Sequence, residues 1–245
     1  MKHLLLFGLI LILTACGTIE VSAPAPTPEA INIRYPQALL PWADKLVSCA
    51  SNVPQIGLYL IEFNTLDPDI QANIIELELG QPSRINDLTY LSQVGWEQVV
   101  VVVNKENSLA QLSIEELKSI FSGQGSKLVN GSAQSMQVWV PPKGEPTRMI
   151  FDHAVMQKLS LTSDAMLAPD PGTMLEAISK NPDAIGYLPG SFINTNDPSY
   201  SSKVKIVKLE TSLEAELRQP VIAITQSEPM GLLRNLLVCL EANSP

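Results

Sequence analysis

The sequence predicts an α/β fold, and three observations carry that prediction. Residues 99–103 are five consecutive valines. A run without polar alternation reads as a strand buried on both faces, the habit of parallel sheets. A helix start follows shortly after. Ser113 and Glu116 form an S-x-x-E capping box, and Leu112 and Leu117 stand where a hydrophobic staple would. The third observation is that short apolar runs and helix signals alternate along the remaining chain, as βαβ units do.

In chain order, residues 30–34 read as a short strand. Pro41 opens a helix to about residue 51, because Pro is tolerated in a first turn. Residues 56–63 are a strand and 68–74 a short helix. Residues 75–79 read as a half-exposed strand, since Glu76 and Glu78 alternate with apolar neighbours. Residues 80–87 are a loop, 89–94 carry no clear signal, and 99–104 are the valine strand. The next helix carries Ile114, Leu117, Ile120 and Phe121 on one side, and Gly123 is its stop. A polar stretch leads to a strand at 136–140, a helix at 146–159 and a short helix at 164–167. Thr173 and Glu176 form a T-x-x-E capping box for a helix at 174–180, which Asn181-Pro182 ends. Strands at 184–188, 204–209 and 221–225 follow, and a helix at 230–242 closes the chain. No repeat of solenoid period is present.

The N-terminus reads as a targeting segment. Lys2 supplies a positive charge, and the apolar stretch 4–13 is too short for a comfortable membrane span of roughly 20 residues. Leu13-Thr14-Ala15-Cys16 resembles a bacterial lipobox, so residues 1–15 are expected to be a lipoprotein signal peptide and Cys16 the lipidated residue. Acyl chains at Cys16 would hold the protein to a membrane surface, each buried CH₂ adding about 0.8 kcal/mol. Residues 16–30 are rich in Pro and Ala and read as a tether. Localisation is therefore expected to be extracytoplasmic, lipid-anchored to a bacterial membrane.

The remaining stretch of roughly 215 residues is enough for one large or two small domains. The chain has 25 acidic and 16 basic residues, a net charge of −9, and no basic run. That argues against nucleic acid as a partner, since phosphate-backbone binding needs clustered Lys and Arg. Two cysteines remain after Cys16. Cys49 shares a helical face with Trp42 and Leu46, and Cys239 shares one with Leu232 and Leu236. Both point into a core, as free thiols or as a disulfide that an oxidising compartment permits.

Residues 99–123, VVVVVNKENSLAQLSIEELKSIFSG, resemble the segment that leads from hinge to second lobe in the phosphate-type solute-binding proteins of bacterial ABC transporters. KGEPTRMIFDHAV (143–155) resembles that family's GSGT-R-x-x-F phosphate loop and following helix. DPGTMLEAISKNPDAIGYLPG (170–190) resembles its helix-turn-strand ending in AIGY. The resemblance implies a two-lobed type II periplasmic-binding fold, with mixed, mostly parallel sheets joined by two crossing strands. Lobe one would be 31–100 and 208–245, and lobe two 101–207, with crossings near 99–104 and 204–209. The last helix would then pack beside the Cys49 helix, which favours a Cys49–Cys239 disulfide.

The resemblance further implies a monomer without enzymatic activity, metal or cofactor. Such a protein closes on a small anionic solute, phosphate by default, and passes it to an ABC permease in the membrane. Tetrahedral anions are held at helix N-termini, with Ser and Thr hydroxyls, close-approaching Gly and often a bidentate Arg. On that basis the candidate ligand groups are Tyr35, Gln37, Asn64, Thr65 and Ser83 from lobe one. Lobe two offers Gly144, Thr147, Arg148, Gly172 and Thr173.

The chain departs from the family where the anion should sit. Gly144 and Thr147 match, but Glu145 replaces Ser and Pro146 replaces Gly. Pro146 has no N–H to donate, and Glu145 brings a like charge to an anion. The family Arg falls near Pro141 and is missing; Arg148 substitutes only if its side chain turns inward. The small-residue loop after strand one is Tyr35-Pro36-Gln37-Ala38, and the aspartate loop after strand three is Gly80-Gln81-Pro82-Ser83. The second expectation is therefore a degenerate binding-fold lipoprotein acting as a sensor or interaction module without phosphate transport.

Other chemistries have less support. His153 is the one histidine outside the leader, its position opposes the apolar side of its helix, and no G-x-S-x-G elbow accompanies it for a hydrolase. Asp164, Asp170 and Asp183 lack metal-ligand spacing and suit turns or helix caps. Gly123-Gln124-Gly125-Ser126-Lys127 fails the P-loop spacing. Tyr35, Phe63 and Tyr187 offer aromatic faces to an organic ligand, though such residues more often build walls or core.

Overall fold

The computed structural model describes residues 29–51, 53, 56–63, 73–82, 89–124, 136–193, 200 and 202–244. The Cys16 lipobox, the tether up to residue 28, most of the helix expected at 68–74, and Asn64, Thr65 and Ser83 lie outside them.

Nine described strands form a mixed sheet in the order β2-β1-β3-β9-β4-β7-β5-β6, with β8 also on β4. The strands are β1 (Glu29–Tyr35), β2 (Ile56–Glu62), β3 (Ile74–Leu79), β4 (Tyr90–Asn104), β5 (Gln137–Val140), β6 (Met166–Leu167), β7 (Ala184–Pro189), β8 (Val204–Ile206) and β9 (Arg218–Thr225). The helices are α1 (Leu40–Ala50), α2 (Ile114–Phe121), α3 (Pro146–Phe151), α4 (Pro171–Lys180), α5 (Thr211–Glu216) and α6 (Gly231–Ala242). β1 pairs in parallel with β2 and β3, and β5 with β6 and β7.

β4 joins the two halves. Its first part, Tyr90 to Gln98, pairs antiparallel with β9, and from Val99 it pairs with β7 and then β8. The valine run is buried on both faces as expected: Val99, Val101 and Val103 enter one core and Val102 another. Its neighbours are antiparallel, however. Burial on both faces comes from packing on each side of the sheet, and strand direction is not encoded in it. The unclear residues 89–94 turn out to begin this same strand, with an irregularity between Gln93 and Gly95.

One core gathers Ile31, Ile33, Trp42, Leu46, Ile75, Leu77, Val94, Val221 and Leu240. The second gathers Val99, Leu117, Phe121, Phe151, Tyr187, Leu209, Leu213 and Leu217, and a smaller third gathers Val102, Met174, Ile178, Ala184 and Leu188. Phe151 stacks on Tyr187 with ring centroids 3.8 Å apart. α1 and α6 pack together and are joined by a Cys49–Cys239 disulfide.

Several local expectations are corrected. Glu76 and Glu78 are buried, because β3 lies inside the sheet between β1 and β9 and Arg34 approaches Glu76 at 3.3 Å. Residues 164–167 make no helix; Met166 and Leu167 extend the sheet beside Trp139 and Val140. The helix expected from Pro146 to 159 is α-helical only to Phe151, then widens to a π turn over Asp152–Met156 and ends at Gln157, whose φ is +54°. α4 starts at Pro171, not 174, with Asp170 as N-cap; the D-P pair outcompetes the T-x-x-E box because Pro suits a first helical position. The strand expected at 204–209 stops at Ile206, and α5 carries no strong periodic signal. The capping box of α2 forms with both of its hydrogen bonds, and Gly123 follows at φ +79°.

Candidate functional site

A cavity of about 780 Å³ opens at the junction of the two cores. From the first half it is lined by Pro36, Gln37, Glu62, Phe63 and Glu78–Gln81. From the second it takes Pro142–Pro146, Met149, Ile150, His153 and Pro169, with Glu216 and Gln219 near the return of the chain. Deeper lies a void of about 10 Å³ bounded by Gln37, Pro141, Thr147, Asp170, Tyr187 and Glu145.

The wall between the two spaces is the turn before α3. Gly144 adopts φ +90°, a conformation that favours glycine, and no atom lies within 4 Å of where a Cβ would point. This twist turns Glu145 back over its own helix. Its carboxyl accepts from the backbone N–H of Thr147 at 2.7 Å and of Arg148 at 3.3 Å, and so caps α3. Burial raises its pKa, against the lowering effect of Thr147, of the Arg148 and Thr147 amides, and of the Ala38 amide from the first half. The Thr147 hydroxyl, 1 % exposed, lies close enough to favour the ionised carboxyl electrostatically, yet makes no hydrogen bond of good geometry.

The second candidate N-terminus is occupied in the same way. Asp170 accepts from the Thr173 amide and hydroxyl, both at 2.6 Å. Thr173 is therefore consumed in capping, and Gly172 packs near the Asp170 carboxyl; neither lines the cavity. Arg148 does not turn inward. Its Nε donates to Asp152 at 2.9 Å and an Nη donates to the Pro141 carbonyl at 2.8 Å. Tyr35 is 6 % exposed in the first core, where burial, followed by Glu62 and Asp44, raises its pKa. Tyr187 is likewise a core residue whose pKa burial raises. Of the expected ligand groups, Gln37 and Gly144 line the large cavity, and Gln37 and Thr147 the small one.

Phe63 lines the cavity, with the Arg34 guanidinium 5.3 Å from its ring centroid. Sequence reading missed Glu62, Glu78, Met149 and Glu216 as lining residues. Phe63 and Glu62 end a strand and so share the loop position that pointed to Gln37; Glu78 and Glu216 had no such signal. Among the described residues, no group of three or more His, Cys, Asp or Glu is placed to hold a metal ion, and no helix is long and apolar enough to cross a membrane.

A family model described as a PBP superfamily domain matches residues 90–240. The chain belongs to that family. No curated protein matches the sequence. Among solved structures, this PBP-superfamily chain is similar to an ABC-type phosphate transport receptor from Vibrio cholerae. The two share 15 % identity over 87 % of this chain and 94 % of that one, with a TM-score of 0.60. It is also similar to the CcmR regulatory domain of Synechocystis in complex with 2-PG (10 % identity, 87 % and 96 % covered, TM-score 0.62). A third is the reduced OxyR regulatory domain of Pseudomonas aeruginosa (13 %, 89 % and 100 %, TM-score 0.60). The mixed α/β fold of the binding-protein type is thus established, shared here by a transport receptor and by two regulatory domains.

Proposed function

We propose that this chain is a membrane-tethered, extracytoplasmic solute-binding protein that serves an ABC permease, closing two lobes on its ligand by hinge bending. The observation that carries this is the 780 Å³ cavity at the junction of two separate cores, a volume within the range of ligand pockets. The resemblance implies 31–100 with 208–245 against 101–207; Leu209, Leu213 and Leu217 pack with the second core, so we assign the return crossing to the start of β9 and the lobes to 31–100 with 218–245 against 101–217. Lipid on Cys16 supplies the anchor.

Native mass spectrometry of the full chain, taken from bacterial membranes in mild detergent, tests the reading. A small-molecule adduct, together with acyl mass on Cys16 that Cys16→Ser abolishes, is the expected result. Protein without adduct overturns solute binding. The second reading, a sensor or interaction module, is favoured by the two N-termini already filled by Glu145 and Asp170. Titration calorimetry decides for phosphate: micromolar binding lost in Thr147→Ala supports phosphate transport, and no heat at millimolar phosphate removes it.

A further inference from the structure

We propose that residues 18–22, TIEVS, add a further strand along the outer edge of β2 and strap the N-terminal segment to the folded domain. The proposal goes beyond solute binding and does not depend on it. β2 is the last strand on its side of the sheet, and among the described residues nothing pairs with its outer edge. Such an edge offers unpaired N–H and C=O groups, and proteins commonly blunt it with charge, proline, a bulge or brevity. β2 has none of these. It is seven residues long, IGLYLIE, with its one charge at the last position and an unbroken register to β1. Its second half is apolar and open on both faces, with Tyr59 60 %, Leu60 39 % and Ile61 43 % exposed. An edge of this kind is a template for a strand.

Three features of the preceding chain choose the occupant. The chain enters β1 at Glu29, level with Ile56, so the residues before it start beside the near end of β2. Thr18-Ile19-Glu20-Val21-Ser22 is rich in β-branched residues that suit a strand, with Ile19 and Val21 two apart and so on one face. Between the two lies a spacer, 23–28, with prolines at 24, 26 and 28. Proline cannot donate to a ladder, so the spacer itself stays out of the sheet. It has to cross two strand spacings, roughly 10 Å. Its six residues reach about 19 Å at about 3.1 Å each. Residues 18–22 then run antiparallel to β2 over the stretch from Leu58 to Glu62. A second copy would compete for the same edge, but a segment on so short a spacer presents itself at an effective concentration of millimolar order. One consequence rests on the lipid assigned to Cys16, which stands two residues before Thr18. The strap would hold the membrane at the end of β2 where Glu62 and Phe63 line the cavity, and so turn that cavity towards the permease.

Hydrogen exchange of the full chain in mild detergent tests the strap. The β2 amides that face away from β1 exchange slowly in the native chain. Val21→Pro, which removes a ladder donor outside both cores, speeds them by about tenfold or more and leaves the β4 amides unchanged. Ile19→Ser speeds them less, because it keeps the donors and loses only a side-chain contact. Cys16→Ser keeps the protection, since the strand needs no lipid. Fast exchange of these amides in the native chain overturns the proposal, as does protection that survives Val21→Pro. If that surviving protection falls on dilution, the edge belongs to a second copy; if it falls in Cys16→Ser, the edge belongs to the membrane surface.

Discussion

Two carboxyl groups, Glu97 buried at the hinge and Glu145 half-buried in the cleft, illustrate what this chain keeps and what it changes. Glu97 is 3 % exposed and ties separate parts together: Trp42 Nε1 donates to it at 2.8 Å from the first core, and the Ser191 amide at 3.2 Å from the turn after β7. Glu145 instead serves mainly its own helix, two and three residues away. The hinge carboxyl holds a scaffold; the cleft carboxyl fills a site. Removing the first should therefore damage the fold, and removing the second should mainly reopen chemistry.

The sharpest break is Glu97→Ala. It leaves a buried indole N–H and a buried amide without an acceptor, and should cost about 2–4 kcal/mol in urea unfolding. Gly95→Ala attacks the same hinge through shape. A Cβ there would lie 2.4 Å from the Trp42 ring, and overpacking of this kind costs about 1–3 kcal/mol. Glu145→Ala should cost only about 1 kcal/mol, the usual loss of an N-cap. A loss as large as that of Glu97→Ala would erase the contrast.

The smallest effect separates the two by pH. The folded-state pKa of Glu145 is raised, so its protonated form is the one that folding favours. Its contribution to stability is fully present below the ordinary carboxyl value and is lost as pH rises through the raised value. The melting temperature of the native chain relative to Glu145→Gln should therefore climb on acidification through the window just above the ordinary glutamate pKa. A difference that is flat, or that falls with acid, contradicts the burial argument.

Much of the fold was legible because its signals are local. The valine run, the Ser113 capping box and the Gly123 stop depend on neighbours in sequence, and all formed. Residues whose fate depends on distant partners were misread. Glu76 looked half exposed because its Arg34 partner lies on another strand. α4 began early because a D-P start competed with a T-x-x-E box in the same few residues. For the site, the substitution of Glu145 was visible, and so was its repulsion of an anion. That its carboxyl folds back as the cap required the backbone twist at Gly144, which residue identity alone does not dictate. The outer carboxyls come together only through topology, since Glu62, Glu78 and Glu216 are far apart in sequence.

The Glu145 cap also makes the inner site a competition between a tethered and a free ligand. A side chain two residues from the amides it occupies presents itself at an effective concentration of at least millimolar order. Any free oxyanion must outbid that standing occupant before it gains a single hydrogen bond, and it must do so while the carboxylate remains nearby. The tethered carboxyl thus lowers the apparent affinity of the inner site for any free oxyanion by a constant factor, set by the covalent chain itself.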